Sequence, residues 1–198
     1  MSSKTLIKIT FLMLLTVLIF FACAKKDPAL LLQQYETAYN SHNVDNIEDL
    51  LADSVIFKFD ETMLIEGKDD IKNLIQYDSV LNAQLVFSNV QVSGDTAHLT
   101  LTEKNDWLKM ANVEEYPYGS GEIVFDNDGK ITFFRVDEDK TSAKDFNKIF
   151  TSIVDWAQKD HKEEVDDLLE TGYNARNAER WLTLLKQWQD DQETMQKE

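Results

Sequence analysis

Apolar positions along the chain follow three regimes. They recur at helical spacing up to about Leu81, alternate with period two from Gln84 to about Val136, and return to helical spacing from Thr141 onward. Asp27-Pro28 supplies an N-cap acceptor followed by a proline at the first helical position, so a helix is predicted to start there. Leu31, Tyr35, Ala38 and His42 mark its face, and Asn40-Ser41-His42-Asn43 ends it. A short second helix carries Val44, Ile47, Leu50 and Leu51. The β-branched and aromatic run Ser54 to Phe59 reads as a strand covered on both faces. Gly67 precedes a third helix with Ile71, Leu74 and Ile75.

In the alternating region, Ser93-Gly94-Asp95 and Asn127-Asp128-Gly129 supply turn residues, which predicts a meander of antiparallel strands. Asp106 to Tyr118, with Trp107 and Pro117, reads as an irregular connection or a bulged strand. Beyond Thr141 one stripe holds Phe146, Ile149, Phe150, Ile153, Trp156 and Ala157, continuing through Val165, Leu168 and Leu169. Thr171-Gly172 is a stop signal, and Ala178, Trp181, Leu182, Leu185 and Trp188 form a second stripe. The result is a predicted helical hairpin whose faces must be covered, because burying each large side chain is worth roughly 1.5–3 kcal/mol.

The first residues carry a different pattern. Lys4 and Lys8 precede the apolar run Ile9 to Ala22, which is shorter than the roughly 20 residues of a membrane-spanning helix. The run resembles a signal peptide. Cys23, the sole cysteine, directly follows small Ala22, a junction similar to the lipobox of bacterial lipoproteins, although Phe20 and Phe21 stand where that family has leucine and a small residue. The resemblance implies cleavage before Cys23, diacylation of its thiol, and anchoring in the bacterial cell envelope, with the leaflet left open. A secreted protein with an incidental cysteine, or an uncleaved N-terminal anchor, is the alternative. The expected organisation is a signal peptide over 1–22, a lipidated tether over 23–26, a domain over 27–137 and a C-terminal extension over 138–198.

Composition narrows the function classes. Among 198 residues, 20 Lys and Arg face 36 Asp and Glu, for a net charge of −16. That sign argues against nucleic acid, whose binding needs clustered basic groups. One cysteine excludes a disulfide framework or a cysteine zinc site within the chain. His42, His98 and His161 stand apart with no metal-ligand spacing, so neither a metal nor a cofactor is expected. Asp126-Asn127-Asp128-Gly129 is explained by a hairpin turn. Gly119-Ser120-Gly121 leads into a strand, so it is not a phosphate cradle.

Three local patterns carry a family resemblance. They are Tyr39-Asn40 leading through Val44-Asp45-Asn46-Ile47 to Leu51-Ala52-Asp53-Ser54; Ile65-Glu66-Gly67-Lys68-Asp69-Asp70-Ile71; and Gly121-Glu122-Ile123-Val124-Phe125-Asp126-Asn127-Asp128-Gly129-Lys130-Ile131. With the order of elements, they make residues 28–137 similar to the nuclear transport factor 2-like superfamily, which includes SnoaL-like and ketosteroid isomerase-like proteins. The resemblance implies an α+β fold: a strongly bent antiparallel sheet with N-terminal helices closing a conical pocket, here followed by the helical hairpin. It fixes no single function.

Carried onto this chain, the isomerase pattern places a donor tyrosine at Tyr35. It leaves Phe59 where the base would stand, with Asp60 one residue on, and it sets the second donor near Gly121, with Glu122 adjacent. A one-residue offset in a strand turns the side chain to the other face, so the set is incomplete. The SnoaL-like pattern has an acid where Asp137 stands, with His98 and Arg135 on neighbouring strands. Tyr39, Trp107, Tyr116 and Tyr118 complete the pocket candidates as rings suited to a small, partly apolar ligand. The expected function is a lipid-anchored envelope protein whose pocket binds a small molecule or a protein without catalysis. A lyase or isomerase in the same pocket, or an acidic module for a basic protein, is the alternative. The oligomeric state stays open, a dimer included.

Overall fold

The computed structural model describes residues 26–61 and 63–195; Cys23 and the stretch expected to be a signal peptide lie outside the described residues. Helix α1 spans Pro28–Asn40, with the Asp27 carboxylate accepting from the Ala29 N–H at 3.0 Å. After a turn in which His42 takes a positive φ of 55°, α2 (Val44–Glu48) begins under an Asn43 cap. Strands β1 (Leu51–Phe59) and β2 (Met63–Glu66) lead to α3 (Lys68–Val80). Strands β3 (Gln84–Ser93) and β4 (Thr96–Lys104) form a hairpin, followed by the short helix α4 (Asp106–Met110). Strands β5 (Tyr116–Phe125) and β6 (Ile131–Glu138) complete the sheet. The C-terminal region is α5 (Lys140–Asp160), α6 (Lys162–Thr171) and α7 (Ala175–Met195).

The sheet is α+β in the expected sense, with strand order β2-β1-β6-β5-β4-β3. One pairing differs from an all-antiparallel expectation: β1 runs parallel to β6, making the sheet mixed. Four of the five pairings contain register shifts. Each shift adds local twist, and together they bend the sheet around its apolar face. The hairpin expected at the C-terminus is three helices, because the stripe of α5 resumes in α6 after a break at His161.

Two cores result. The first lies between the sheet and α1–α3, with Tyr35, Ile47, Val55, Ile71, Ile123 and Ile131 almost wholly buried. In the second, Ile153, Val165, Leu184 and Leu185 of α5–α7 pack with Leu81, Trp107, Leu108 and Tyr116. The C-terminal helices therefore dock on their own chain, α7 lying against α3 and α4. The side-chain amide of Gln189 seals that contact by donating to the Met110 carbonyl at 2.7 Å. Tyr118 packs against both cores. Among the described residues no helix is long and apolar enough to cross a membrane.

Candidate active site

Two acids continue apolar stripes into the protein. On α3 the buried residues Ile71, Leu74 and Ile75 are followed on the same face by Asp78, at the three- and four-residue spacing of a helix. On β4 the inward row Ala97, Leu99 and Leu101 is followed, two residues on, by Glu103. Folding brings the end of α3 and the end of β4 together, so both carboxylates sit where the two cores meet.

Hydrogen bonds fix the pair. The Tyr39 hydroxyl donates to Asp78 Oδ2 at 2.7 Å. Glu103 accepts twice, from the Tyr118 hydroxyl at 2.9 Å and from Asn105 Nδ2 at 2.6 Å. Neither carboxylate belongs to an ion pair among the described residues. Burial, and then repulsion from Glu103, pushes the Asp78 carboxyl up to about 8 against the pull of the Tyr39 hydrogen bond. Burial also raises Glu103, opposed by the bonds from Asn105 and Tyr118. Two interacting acids in one apolar setting shed their protons as a unit. The raised Asp78 carboxyl therefore keeps its proton at neutral pH. The charged form is favoured at Glu103, which has two donors to Asp78's one.

Beside the acids lies an aromatic floor. Tyr35 packs on Tyr39, Phe87 and Phe134 at centroid distances of 5.9–6.2 Å, and Phe57 meets Phe134 edge-on at 5.0 Å. The Tyr35, Tyr39 and Tyr118 phenols are all raised above the usual tyrosine value. Burial is the main cause and the neighbouring carboxylates add to it, so all three remain proton donors.

The other sequence candidates fall elsewhere. Phe59 is half-buried against the first core. Asp60 occupies the turn after β1 with a φ of 48°, where its carboxylate accepts from the Glu138 N–H at 3.0 Å. His98, Glu122, Arg135 and Asp137 point away from the buried row of their strands and form a ladder on the outer face. His98 lies 3.5 Å from Glu122, and Arg135 meets Asp137 at 2.8 Å. Burial opposes ionisation of Asp137, but its hydrogen bonds from Arg135 and Ser120 outweigh that and hold its carboxyl below the usual range. Trp107 is buried in the second core against Phe146 and Phe150. Tyr116 donates to Glu138 and packs on Tyr118 and Phe146. Gly121 faces inward, where an added Cβ would come within 2.7 Å of Leu99 Cδ1. The place at which the isomerase pattern sets its second donor is thus filled by leucine.

Two surface clefts lie away from the acids. One, of about 770 Å³, follows Lys140, Lys144 and Lys148 along α5; the other, of about 410 Å³, runs between α1 and α2 past Gln33, Thr37 and Asn46. Among the described residues no three His, Cys, Asp or Glu side chains are grouped to hold a metal.

Solved structures share this architecture. The chain superposes on the epoxide hydrolase/cyclase-like enzyme SalBIII of pyran ring formation in salinomycin with a TM-score of 0.52 and 13% identity, covering 58% of this chain and 92% of that one. An epoxide hydrolase from M. tuberculosis, of the LEH-like type, matches with a TM-score of 0.50 and 15% identity over 58% and 80% of the two chains. An NTF2-like protein of unknown function from Cytophaga hutchinsonii gives 0.49 and 17% over 61% and 96%. The fold is nuclear transport factor 2-like. No protein-family model and no curated protein matches the sequence. The nuclear transport factor 2-like architecture accounts for α1–α3 lying across the buried face of the sheet. Asp78 and Glu103 are absent from the sequence candidates. A carboxylate standing at the next core position of a stripe was the available signal.

Proposed function

We propose that this chain is a lipid-anchored cell-envelope protein whose nuclear transport factor 2-like domain catalyses proton transfer on a small, uncharged, partly apolar molecule. The Asp78–Glu103 pair is the foundation of this reading, since a protonated Asp78 together with a Glu103 carboxylate held by two donors would offer an acid and a base at one place. Glu103, ionised, takes a proton from carbon or from water. Asp78, protonated, gives one to the oxygen on which negative charge develops. Tyr39 and Tyr118 hold the two carboxylates in orientation, and the rings of Tyr35, Phe87 and Phe134 offer an apolar surface.

Enolisation beside a carbonyl, loss of water from a hydroxy-ketone and acid-assisted opening of an epoxide can each run on an acid and a base placed together. The likeness to SalBIII and to the M. tuberculosis hydrolase supports such chemistry at the level of fold alone. A purely structural role would gain nothing from bringing two mutually repelling acids together, and that cost favours the enzyme.

The test offers the purified protein three probes: a β,γ-unsaturated ketone, a β-hydroxy-ketone and a small aliphatic epoxide. Turnover of at least one is expected, with a bell-shaped pH profile whose alkaline limb falls near pH 8 as Asp78 loses its proton. Asp78→Asn and Glu103→Gln should each lower kcat at least 100-fold, in the usual range for a lost general acid or base. No turnover of any probe, or turnover that survives both substitutions, would overturn the reading.

A further inference from the structure

The two donors that hold Glu103 reach it from different elements, one at each oxygen. Tyr118 comes from β5 and donates to Oε2, while Asn105 follows β4 and donates to Oε1 at 2.6 Å. The backbone at Asn105 is still extended, with φ −156° and ψ 169°, so the alternation of β4 runs on and sets Asn105 on the side of Glu103.

The other half of the same amide is committed. Asn105 is the N-cap of α4, and its Oδ1 accepts from the Leu108 N–H at 2.7 Å. A backbone N–H can only donate, so it takes the amide oxygen and leaves the amide nitrogen turned to Glu103. The helix start thereby fixes which way the donor points.

Five residues are too few for a helix that stands alone, so α4 depends on what it packs against. Its first N–H, that of Asp106, donates at 2.8 Å to the carbonyl of Leu81, the residue that ends α3. Trp107 and Leu108 are buried in the second core, Trp107 against Phe146 and Phe150 of α5. At the far end Gln189 of α7 donates to the Met110 carbonyl. The C-terminal helices hold α4, α4 holds Asn105, and Asn105 holds Glu103.

We infer that Asn105 is the positioning residue of the site: held by α4 and, through it, by the C-terminal helices, it fixes the Glu103 carboxylate for taking a proton. The use to which Glu103 is put rests on the proton-transfer reading; the hold on the carboxylate does not. Of the two bonds that oppose the effect of burial on Glu103, the one from Asn105 is the stronger.

The test follows the side-chain carboxyl carbon of Glu103 by NMR across pH, in the full chain and in three variants. Asn105→Ser still caps α4 but is too short to reach Glu103; Asn105→Asp keeps both shape and cap, yet has no N–H to give and adds a like charge. A lost donor disfavours the charged form. The Glu103 midpoint should therefore rise by about one pH unit in Asn105→Ser, the size of a lost hydrogen bond to a charged group, and further in Asn105→Asp. Asn82→Ala removes a bond to Asp106 at the same junction without touching Glu103, and it should leave the midpoint unmoved. The titratable groups within electrostatic reach of Glu103 are Asp78 and Tyr77 of α3, Tyr39 of α1, Tyr118 of β5 and Tyr173 before α7, and all three variants keep them. On a probe that turns over, Asn105→Ser should lower kcat with KM unchanged and carry the acid limb of the pH profile upward with the midpoint. An unmoved midpoint in both Asn105 variants, an equal shift in Asn82→Ala, or an unchanged kcat would overturn the role. Failure of the three turnover probes with the midpoint shifts intact would instead sink the catalytic reading and leave the hold on Glu103 standing.

Discussion

Tyr118 donates its hydroxyl proton to Glu103 across a diagonal, because the two residues do not face each other: in the β4–β5 register Tyr118 faces Leu101, and Glu103 faces Tyr116. The bond exists because of a bulge. Two steps on β4, from Leu99 to Leu101, match three on β5, from Gly121 back to Tyr118. One extra residue reverses which face a side chain takes, so the Gly119-Ser120 bulge swings Tyr118 onto the side of Gly121 and Ile123. Without it the tyrosine would join Glu122 on the outer ladder.

Protonation of Asp78 couples the site to stability. Its folded value of about 8 lies above the ordinary aspartate value, so the folded state binds an extra proton between the two. Stability from this group is complete below the ordinary value and is lost as pH rises through about 8. Asp78→Asn cannot ionise. Relative to the parent, the variant should gain at least about 3 °C in melting temperature between pH 5 and pH 9, on the scale of 2–4 °C per kcal/mol for a chain this size. Scanning calorimetry at the two pH values checks this, and a parallel shift of both proteins would refute it.

The anchor prediction concerns the junction at Ala22-Cys23. In Cys23→Ser expressed in a bacterial host, the protein should leave the membrane fraction, and the parent should incorporate labelled palmitate while the variant does not. A membrane-bound variant with an intact N-terminus would mean an uncleaved helix.

Trp107 was expected at a pocket mouth, but its ring lies in the second core between α4 and α5. Trp107→Ala should therefore cost about 3–5 kcal/mol, the usual range for a buried aromatic truncated to a methyl. Urea unfolding would measure it. A loss below 1 kcal/mol would show that the helices do not rest on this ring.

Surface charges should matter little by comparison. The Arg135 side chain is 38% exposed and pairs with Asp137 on the outer face. Arg135→Gln is expected to change stability by under about 1 kcal/mol, as exposed ion pairs do. It should leave kcat on the probe substrates within twofold. A tenfold loss of turnover in a folded variant would move the chemistry to the outer ladder.

Much of the fold was legible because local rules set it: the Asp27-Pro28 start, the Gly67 entry to α3 and the Asn127-Asp128-Gly129 turn all stand where spacing put them. His98, Glu122 and Arg135, offered as pocket residues, stand on the outer face instead. Legibility failed where long-range register decides. Nothing local marks β1 as a parallel neighbour of β6, and the Gly119-Ser120 bulge is visible only against β4 and β6. At Asp160-His161 the chain has neither glycine nor proline, so a helical stripe reads straight through the break. The acids were hidden differently. Each is polar in its own element, is half-buried in the fold, and meets the other only when α3 and β4 converge.

The parallel pairing of β1 with β6 also sets an order of events during synthesis. The 71 residues between Phe59 and Ile131 must be made before β1 finds the neighbour that covers its inner edge. At about 5–20 residues per second this is an interval of roughly 4–14 s in which Val55 and Phe57 have only β2 and the first helices beside them. Closure of the sheet is a late, non-local step of the kind that slows folding. A nascent chain arrested before residue 131 should therefore be sensitive to proteolysis along its whole length, and protection should arrive in one step once β6 has emerged.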